Sequence, residues 1–225
     1  MTQADPSIAQ RSTLECLPVE RGLDDILIRG LDIVIAMLAL LFFAPLIGLI
    51  AVAVRLSDVG PLVFKQQRLG KGGELFPCYK FRTMRIDAEA VLAALLASDP
   101  AIQAEWARDH KLRNDPRVSK IGGLLRRTSL DELPQLFNVL KGDMSIVGPR
   151  PITERECVRY GRYFKSYLAV RPGITGVWQV SGRSSTTYRR RVACDIVYAR
   201  TRSLATNVRI IVVTIPMVLI ARGAY

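Results

Sequence analysis

From Ile33 to Val54 the chain carries 22 consecutive residues without a charged side chain, and nothing else in it constrains the fold so strongly. At about 1.5 Å of rise per residue, a helix of that length crosses the roughly 30 Å hydrocarbon layer of a bilayer. The run starts too far into the chain, and lacks a small-residue cleavage site, so it is not a cleavable signal peptide. A membrane is therefore an expected partner. Arg21 and Arg29 precede the run and Arg55, Lys65 and Arg68 follow it, so its basic flanks give no preferred orientation. Pro45 lies inside, where it removes a helical hydrogen bond and can bend the helix back toward the face it entered. Equal flanks and an interior proline favour a re-entrant helix hairpin over residues 21–56, while composition alone leaves a kinked crossing helix open.

Outside this segment the chain is basic: Lys+Arg 32 against Asp+Glu 20 gives a net charge of +12. That balance calls for an anionic partner, whether a phosphate-bearing substrate, an acidic membrane surface or nucleic acid. Nucleic acid fits poorly, because there is no helix-turn-helix signature, zinc pattern or interleaved aromatic platform, and it leaves the apolar run unexplained. His110 is the single histidine, which removes histidine metal clusters and Ser-His-Asp chemistry. Cys16, Cys78, Cys157 and Cys194 are scattered and form no Cys-x-x-Cys pair, so neither a zinc site nor a disulfide framework is indicated.

Along the chain, residues 1–20 read as a loose polar tail and 57–225 as one cytosolic domain of ordinary size. Pro61 to Met84 reads as a β-hairpin, two short strands flanking the turn Gly70-Lys71-Gly72-Gly73. Asp87 to Leu112 carries alanine and leucine at helical spacing, broken at Asp99-Pro100 into two helices. Helix is expected over 121–141, again from Thr153 to Leu168, and from Thr187 to Ala221; glycines hold Arg171 to Arg183 irregular. The last helical stretch is apolar from Ile210 to Ile220 but broken by Pro216, too short to span, and suited either to the membrane interface or to the domain core. The fold class is α+β, mainly helical.

Two adjacent carboxylates, Asp131 and Glu132, stand just after Arg126 and Arg127 in Ser129-Leu130-Asp131-Glu132-Leu133-Pro134-Gln135-Leu136. Ser129 followed three residues later by Glu132 has the form of a capping box opening a helix with Leu133, Leu136, Phe137 and Leu140 on its apolar face. In the alternative reading, arginines hold phosphate while one carboxylate does chemistry on it, its ionised form favoured by the helix entrance and by the arginines. Arg150, fixed between Pro149 and Pro151, presents a fork suited to two phosphate oxygens. In Lys80-Phe81-Arg82-Thr83-Met84, strand alternation puts Lys80 and Arg82 on one face. Any one of these basic residues alone reads as a solvated surface charge; their joint occurrence beside glycine turns does not.

Taken in order, Lys80 to Met84, Asp131 to Leu136, Gly142 to Pro151 and Arg171 to Arg183 resemble the bacterial sugar transferases, the monotopic polyprenyl-phosphate phosphoglycosyl transferases. The likeness runs from about Leu27 onward, and the compact length resembles the exopolysaccharide-initiating subgroup. It implies transfer of a hexose-1-phosphate, galactose or glucose, from a UDP-sugar to undecaprenyl phosphate, with release of UMP. It further implies that Asp131 forms a covalent phosphosugar intermediate and contacts Mg²⁺, and that Glu132 assists. Arg126 and Arg150 bind phosphate by the same likeness, and Lys80 and Arg82 share that task. The resemblance also implies a re-entrant helix broken at Pro45, interfacial amphipathic C-terminal helices, and residence at the bacterial inner membrane with the catalytic domain on the cytosolic face. A homo-oligomer is compatible with it. Two departures stand out: Ala44 precedes Pro45 where relatives often have serine, and Asn207 replaces a common aspartate. The competing class is a non-catalytic membrane-anchored scaffold in which the acidic pair only caps a helix.

Overall fold

The computed structural model describes residues 22–109, 112, 115–181 and 187–219. The tail expected over 1–20, together with His110 and Arg183, lies outside them. Helix α1 (Leu23–Ser57) extends the apolar run by about three turns at its N-terminal side and stays helical through Pro45. A hairpin follows, β1 (Val63–Leu69) antiparallel to β2 (Leu75–Phe81), with Lys65 opposite Tyr79 and Phe64 opposite Lys80. Helices α2 (Ala88–Ser98) and α3 (Pro100–Asp109) break where expected, at Asp99-Pro100.

The expected helix over 121–141 is instead two helices, α4 (Lys120–Thr128) and α5 (Gln135–Lys141), separated by a 3₁₀ turn over Leu130–Glu132. The break is Ser129, which adopts left-handed backbone (φ 58°) as the C-cap of α4, where its N–H bonds to Arg126 and Leu125 carbonyls. Its side chain caps nothing, so the capping box expected from Ser129 and Glu132 does not form. Phe137 is also not on the buried face of α5; it is exposed, while Leu136 and Val139 are buried. The expected helix from Thr153 is likewise interrupted: two 3₁₀ turns, Glu154–Arg159 and Gly161–Tyr163, precede α6 (Phe164–Leu168).

The stretch expected to be irregular holds a short parallel pair, β3 (Ser145–Val147) against β4 (Gly173–Thr175), and one turn of helix, α7 (Val177–Val180). Helices α8 (Tyr188–Thr201) and α9 (Leu204–Leu219) close the described chain. Along α9, Asn207 and Ile210 are buried and Val208, Val212 and Ile215 are exposed, so one face packs on the domain and another stays apolar and open.

Both halves of α1 pack against the same body. In the first half Ala36 joins Leu136, Val139 and Met144; in the second, Ile50 and Val54 join Phe81 and Leu125, with Leu133 touching both clusters. The first half is also held by polar contacts. Arg202 pairs with Asp25, Arg29 donates to the Val139 carbonyl at 2.6 Å and the Leu140 carbonyl at 3.0 Å, and Asp32 accepts from Ser145 Oγ and the Ile146 N–H, both at 2.9 Å. A carboxylate buried without such donors costs several kcal/mol, so these bonds decide where the helix can sit. Between the anchored halves, Leu41 and Phe42 are 76% and 77% exposed.

Candidate active site

Fully buried Asn138 fixes the hairpin to the segment that carries the acidic pair. Its Nδ2 donates to the Pro77 carbonyl at 2.8 Å and to Asp143 Oδ2 at 3.0 Å, and its Oδ1 accepts from the Tyr79 N–H at 3.0 Å. On the outer edge of β2, which no strand covers among the described residues, the Pro77 carbonyl and the Tyr79 N–H are thereby satisfied by a side chain. Gly142, at φ +97°, ends α5 in a conformation that side-chain-bearing residues rarely adopt, and the chain turns there into β3.

This bracing sets Lys80, near the end of β2, against the 3₁₀ turn. Its Nζ lies 2.6 Å from Glu132 Oε1 and 3.8 Å from Asp131 Oδ2. Arg126, in the last turn of α4, approaches from the other side, with Nε donating to Thr83 Oγ1 at 2.9 Å. Helix α4 can come this close to the end of the hairpin because Gly122 lies flat on the Thr83 carbonyl, which also accepts from the Ser119 N–H at 3.1 Å. Asp131, Glu132, Lys80 and Arg126 thus converge as the sequence predicts.

Asp131 is only 8% exposed. Burial raises its pKa above the ordinary carboxylate value of 3.8, and Glu132 pushes the same way; Lys80 and Arg126 pull it back without cancelling the shift. The expected depression by the arginines and a helix entrance is therefore reversed. The residue sits in a 3₁₀ turn rather than at a helix N-terminus, and removal from water outweighs its cationic neighbours. A carboxylate stripped of water is a stronger nucleophile when ionised, and the two cations beside it can offset the charge of an incoming phosphoryl group.

Arg150 belongs to a neighbouring cluster. Its guanidinium lies 5.9 Å from the Trp178 ring, over which Arg191 stacks at 4.3 Å, and Arg68 and Glu156 are close enough to feel its charge. Cys78, which senses Lys80 and Glu132 as well as Arg68 and Arg150, lies between the two groups. Arg82 is placed otherwise than strand alternation with Lys80 predicts. It follows the end of β2, is buried, and donates through Nη2 to the Asp58 carbonyl at 2.6 Å; among the described residues no bond joins it to the acidic pair. Sequence reasoning missed Thr83, Asn138, Trp178 and Arg191, because each acts through a partner distant in sequence. Only Trp178 carried a signal, as an aromatic inside a glycine-rich turn.

Among the described residues no three acidic, cysteine or histidine side chains gather into a metal cage. The donor set fits Mg²⁺ in another way, since that ion is commonly held by one or two carboxylates together with substrate phosphates, and Asp131 and Glu132 supply such oxygens.

Residues 23–221 match the family model described as bacterial sugar transferase. The chain is 48% identical over 197 residues to an undecaprenyl-phosphate galactose phosphotransferase of Salmonella typhimurium, an overlap covering 88% of this chain and 41% of that protein. It is 45% identical over 197 residues to the exopolysaccharide production protein ExoY of Sinorhizobium fredii, covering 88% and 87%. A UDP-glucose:undecaprenyl-phosphate glucose-1-phosphate transferase of Caulobacter vibrioides is 40% identical over 216 residues, covering 92% and 75%. The chain thus spans about two fifths of the Salmonella protein and most of the other two.

Proposed function

The chain belongs to the bacterial sugar transferase family, and on that premise we propose that it transfers a hexose-1-phosphate from a UDP-sugar to undecaprenyl phosphate, as the first membrane step of exopolysaccharide synthesis. Galactose and glucose are the sugars in the names of the relatives. The observation that carries the reading is the buried carboxylate of Asp131, set beside Lys80 and Arg126 in a turn where the Ser129 side chain forms no cap.

In the proposed reaction an oxygen of ionised Asp131 attacks the phosphorus that bears the sugar. The bond from that phosphorus to the bridging oxygen breaks, and UMP leaves with the electron pair. An oxygen of undecaprenyl phosphate then attacks the same phosphorus, releasing the carboxylate. Lys80 and Arg126 offset charge at the phosphoryl oxygens as the bond forms. Glu132, paired with Lys80 at 2.6 Å, orients that ammonium. Arg150 holds the phosphate on the nucleoside side. Asp131 would hold Mg²⁺, which would supply further charge neutralisation when bound. Arg82 is assigned no contact with substrate, since its Nη2 donates to the Asp58 carbonyl and no bond among the described residues joins it to the acidic pair.

The lipid phosphate lies at headgroup depth, so the nucleophile has to work at the membrane surface. A re-entrant α1, bent at Pro45 with both ends on the cytosolic face of the bacterial inner membrane, meets that need. Support comes from the two halves of α1, whose buried residues pack on one body, with an exposed apolar middle free for lipid. A helix crossing the bilayer would carry one of those halves away from the domain. The exposed apolar face of α9 would rest in the same interface.

The test is Asp131→Asn, an isostere that keeps shape and loses the nucleophile. With purified protein, Mg²⁺, undecaprenyl phosphate and a panel of UDP-sugars, UMP release is expected to fall at least roughly 10³-fold while the melting temperature holds. Full turnover by the Asn variant would overturn the assignment and favour the scaffold reading.

A further inference from the structure

Partners across an antiparallel pair point to the same face, and side chains alternate along each strand. One face of the hairpin carries Lys65 opposite Tyr79, and the lysine Nζ lies 5.9 Å from the centre of that ring. The other face carries Phe64 opposite Lys80, Gln66 opposite Cys78 and Arg68 opposite Phe76. That second face is turned to the site. At one end Lys80 Nζ meets Glu132 Oε1 at 2.6 Å and Asp131 Oδ2 at 3.8 Å. At the other, Arg68 Nη1 donates to Glu156 Oε2 at 3.3 Å and to the carbonyl of Pro151, the residue after Arg150, at 3.2 Å. A single strand face thus joins the acidic pair to the Arg150 segment, and Gln66 stands midway along it.

Of the middle pair, Cys78 is buried in the core while Gln66 is exposed, so Gln66 is the side chain that this face presents between its two charged ends. Its orientation is fixed. Arg68 Nη2 donates to Gln66 Oε1 at 2.6 Å, and a guanidinium has only donors, so the amide can turn only its oxygen toward it. The two N–H donors of Gln66 are left on the side away from Arg68, where the face continues to Lys80. A carboxamide anchored through its oxygen, with a cation at each end of its face, presents donors where an anion would settle.

We propose that Gln66 is a substrate-binding residue whose carboxamide donates to the diphosphate of the UDP-sugar, between the phosphorus attacked by Asp131 and the phosphate held by Arg150, a role that rests on the transferase reading above. Arg68 is the positioning residue behind it. One guanidinium engages Gln66, Pro151 and Glu156, and so sets the amide and the Arg150 segment at a fixed spacing.

The test is steady-state kinetics of the full chain with UDP-galactose and UDP-glucose, Mg²⁺ and undecaprenyl phosphate, with thermal melting as the control on folding. Gln66→Glu is nearly isosteric and still gives Arg68 an acceptor, but it exchanges two donors for a negative charge. Were Gln66 there only to hold Arg68, this variant would keep the KM of the unmodified chain. The substrate role predicts a rise in UDP-sugar KM of at least about tenfold, comparable with the loss of a hydrogen bond to a charged group, and kcat within about threefold. Gln66→Met removes acceptor and donors together without adding charge, and is expected to raise KM by about three- to tenfold. Binding of UDP alone, followed by calorimetry, should weaken in the Glu variant by the same factor as KM rises. A Glu variant with unchanged KM or UDP affinity, or one less impaired than Met, overturns the proposal. At an exposed position both variants should melt within about 2 °C of the unmodified chain; if Gln66→Met melts early, the Glu variant decides alone. An unmodified chain that turns over no UDP-sugar refutes the transferase reading, whereas normal turnover beside an unaffected Gln66→Glu refutes only the place given to Gln66.

Discussion

Adding one methyl group at Gly122 tests whether the approach of α4 to the hairpin sets the site. A Cβ built there meets the Thr83 carbonyl oxygen at 2.0 Å and its carbon at 2.6 Å, against a closest real approach near 3.0 Å. Thr83 or the start of α4 must then retreat by roughly 1 Å, comparable with overpacking that costs about 1–3 kcal/mol. For a chain of this length, each kcal/mol lowers the melting temperature by about 2–4 °C. The retreat strains the bond from Ser119 N–H to the Thr83 carbonyl and carries Thr83 Oγ1 away from Arg126 Nε. Misplacement of a charge-stabilising group by that distance can cost about 10²-fold in turnover. Gly123 is the control: it neighbours Gly122 on the same helix, yet a Cβ there meets nothing within 4 Å. Gly123→Ala should leave turnover intact and raise stability by up to about 1 kcal/mol through helix propensity. UMP release and thermal melting of both variants decide the matter. If Gly122→Ala melts and turns over like the Gly123 variant, the close contact does not set the site. If it loses stability but keeps turnover, Arg126 does not depend on Thr83.

The acid limb of the pH profile of kcat/KM should lie above 3.8, because burial raises the Asp131 carboxyl and only the ionised form attacks; rate is lost as pH falls through the raised value. Lys80 is the strongest influence opposing that rise, so Lys80→Met should move the limb to still higher pH, and a limb below 4 in either protein would contradict the electrostatic account. Asp32→Ala leaves Ser145 Oγ and the Ile146 N–H buried without their acceptor, at about 1–3 kcal/mol for each stranded donor, and should lower the melting temperature and open α1 to protease in detergent. Unchanged melting would mean that α1 is held by its apolar contacts alone.

The hairpin, the apolar helix and the pair α2 and α3 were legible because their signals are local: alternation around a glycine turn, an uncharged run, and Asp99-Pro100 as punctuation. The acidic pair was legible as a site, and its setting was not. Ser129 carries the sequence form of an N-cap yet serves as a left-handed C-cap, and the chain passes into a 3₁₀ turn whose Glu132 pairs with Lys80, followed by Leu133 in the core, contacts distant in sequence. The sign of the Asp131 shift was missed for a related reason: neighbouring arginines are visible in sequence, whereas desolvation is a property of the finished packing. Parallel pairing of β3 with β4 was hidden because three-residue strands carry no periodicity, and their partners are set by backbone approach at Gly148 and Gly173. The expected placing of Arg82 on one strand face with Lys80 does not hold, because β2 ends one residue before it.

The polar grip on the first half of α1 also dictates a sequence of events during synthesis. Asp25 and Arg202 are separated by 177 residues, Arg29 and Val139 by 110, and Asp32 and Ile146 by 114. At translation rates of about 5–20 residues per second, Asp25 waits roughly ten to forty seconds for its counter-ion to emerge. Arg29 and Asp32 meet their partners earlier, once Val139 and Ile146 have emerged, so Asp25 is the last of these groups to be held. Lipid can accept the greasy stretch around Pro45 at once, but Asp25 stays without its counter-ion until the ribosome has passed α8. A chain halted before Arg202 would therefore lack the ion pair that holds Asp25 in the finished fold.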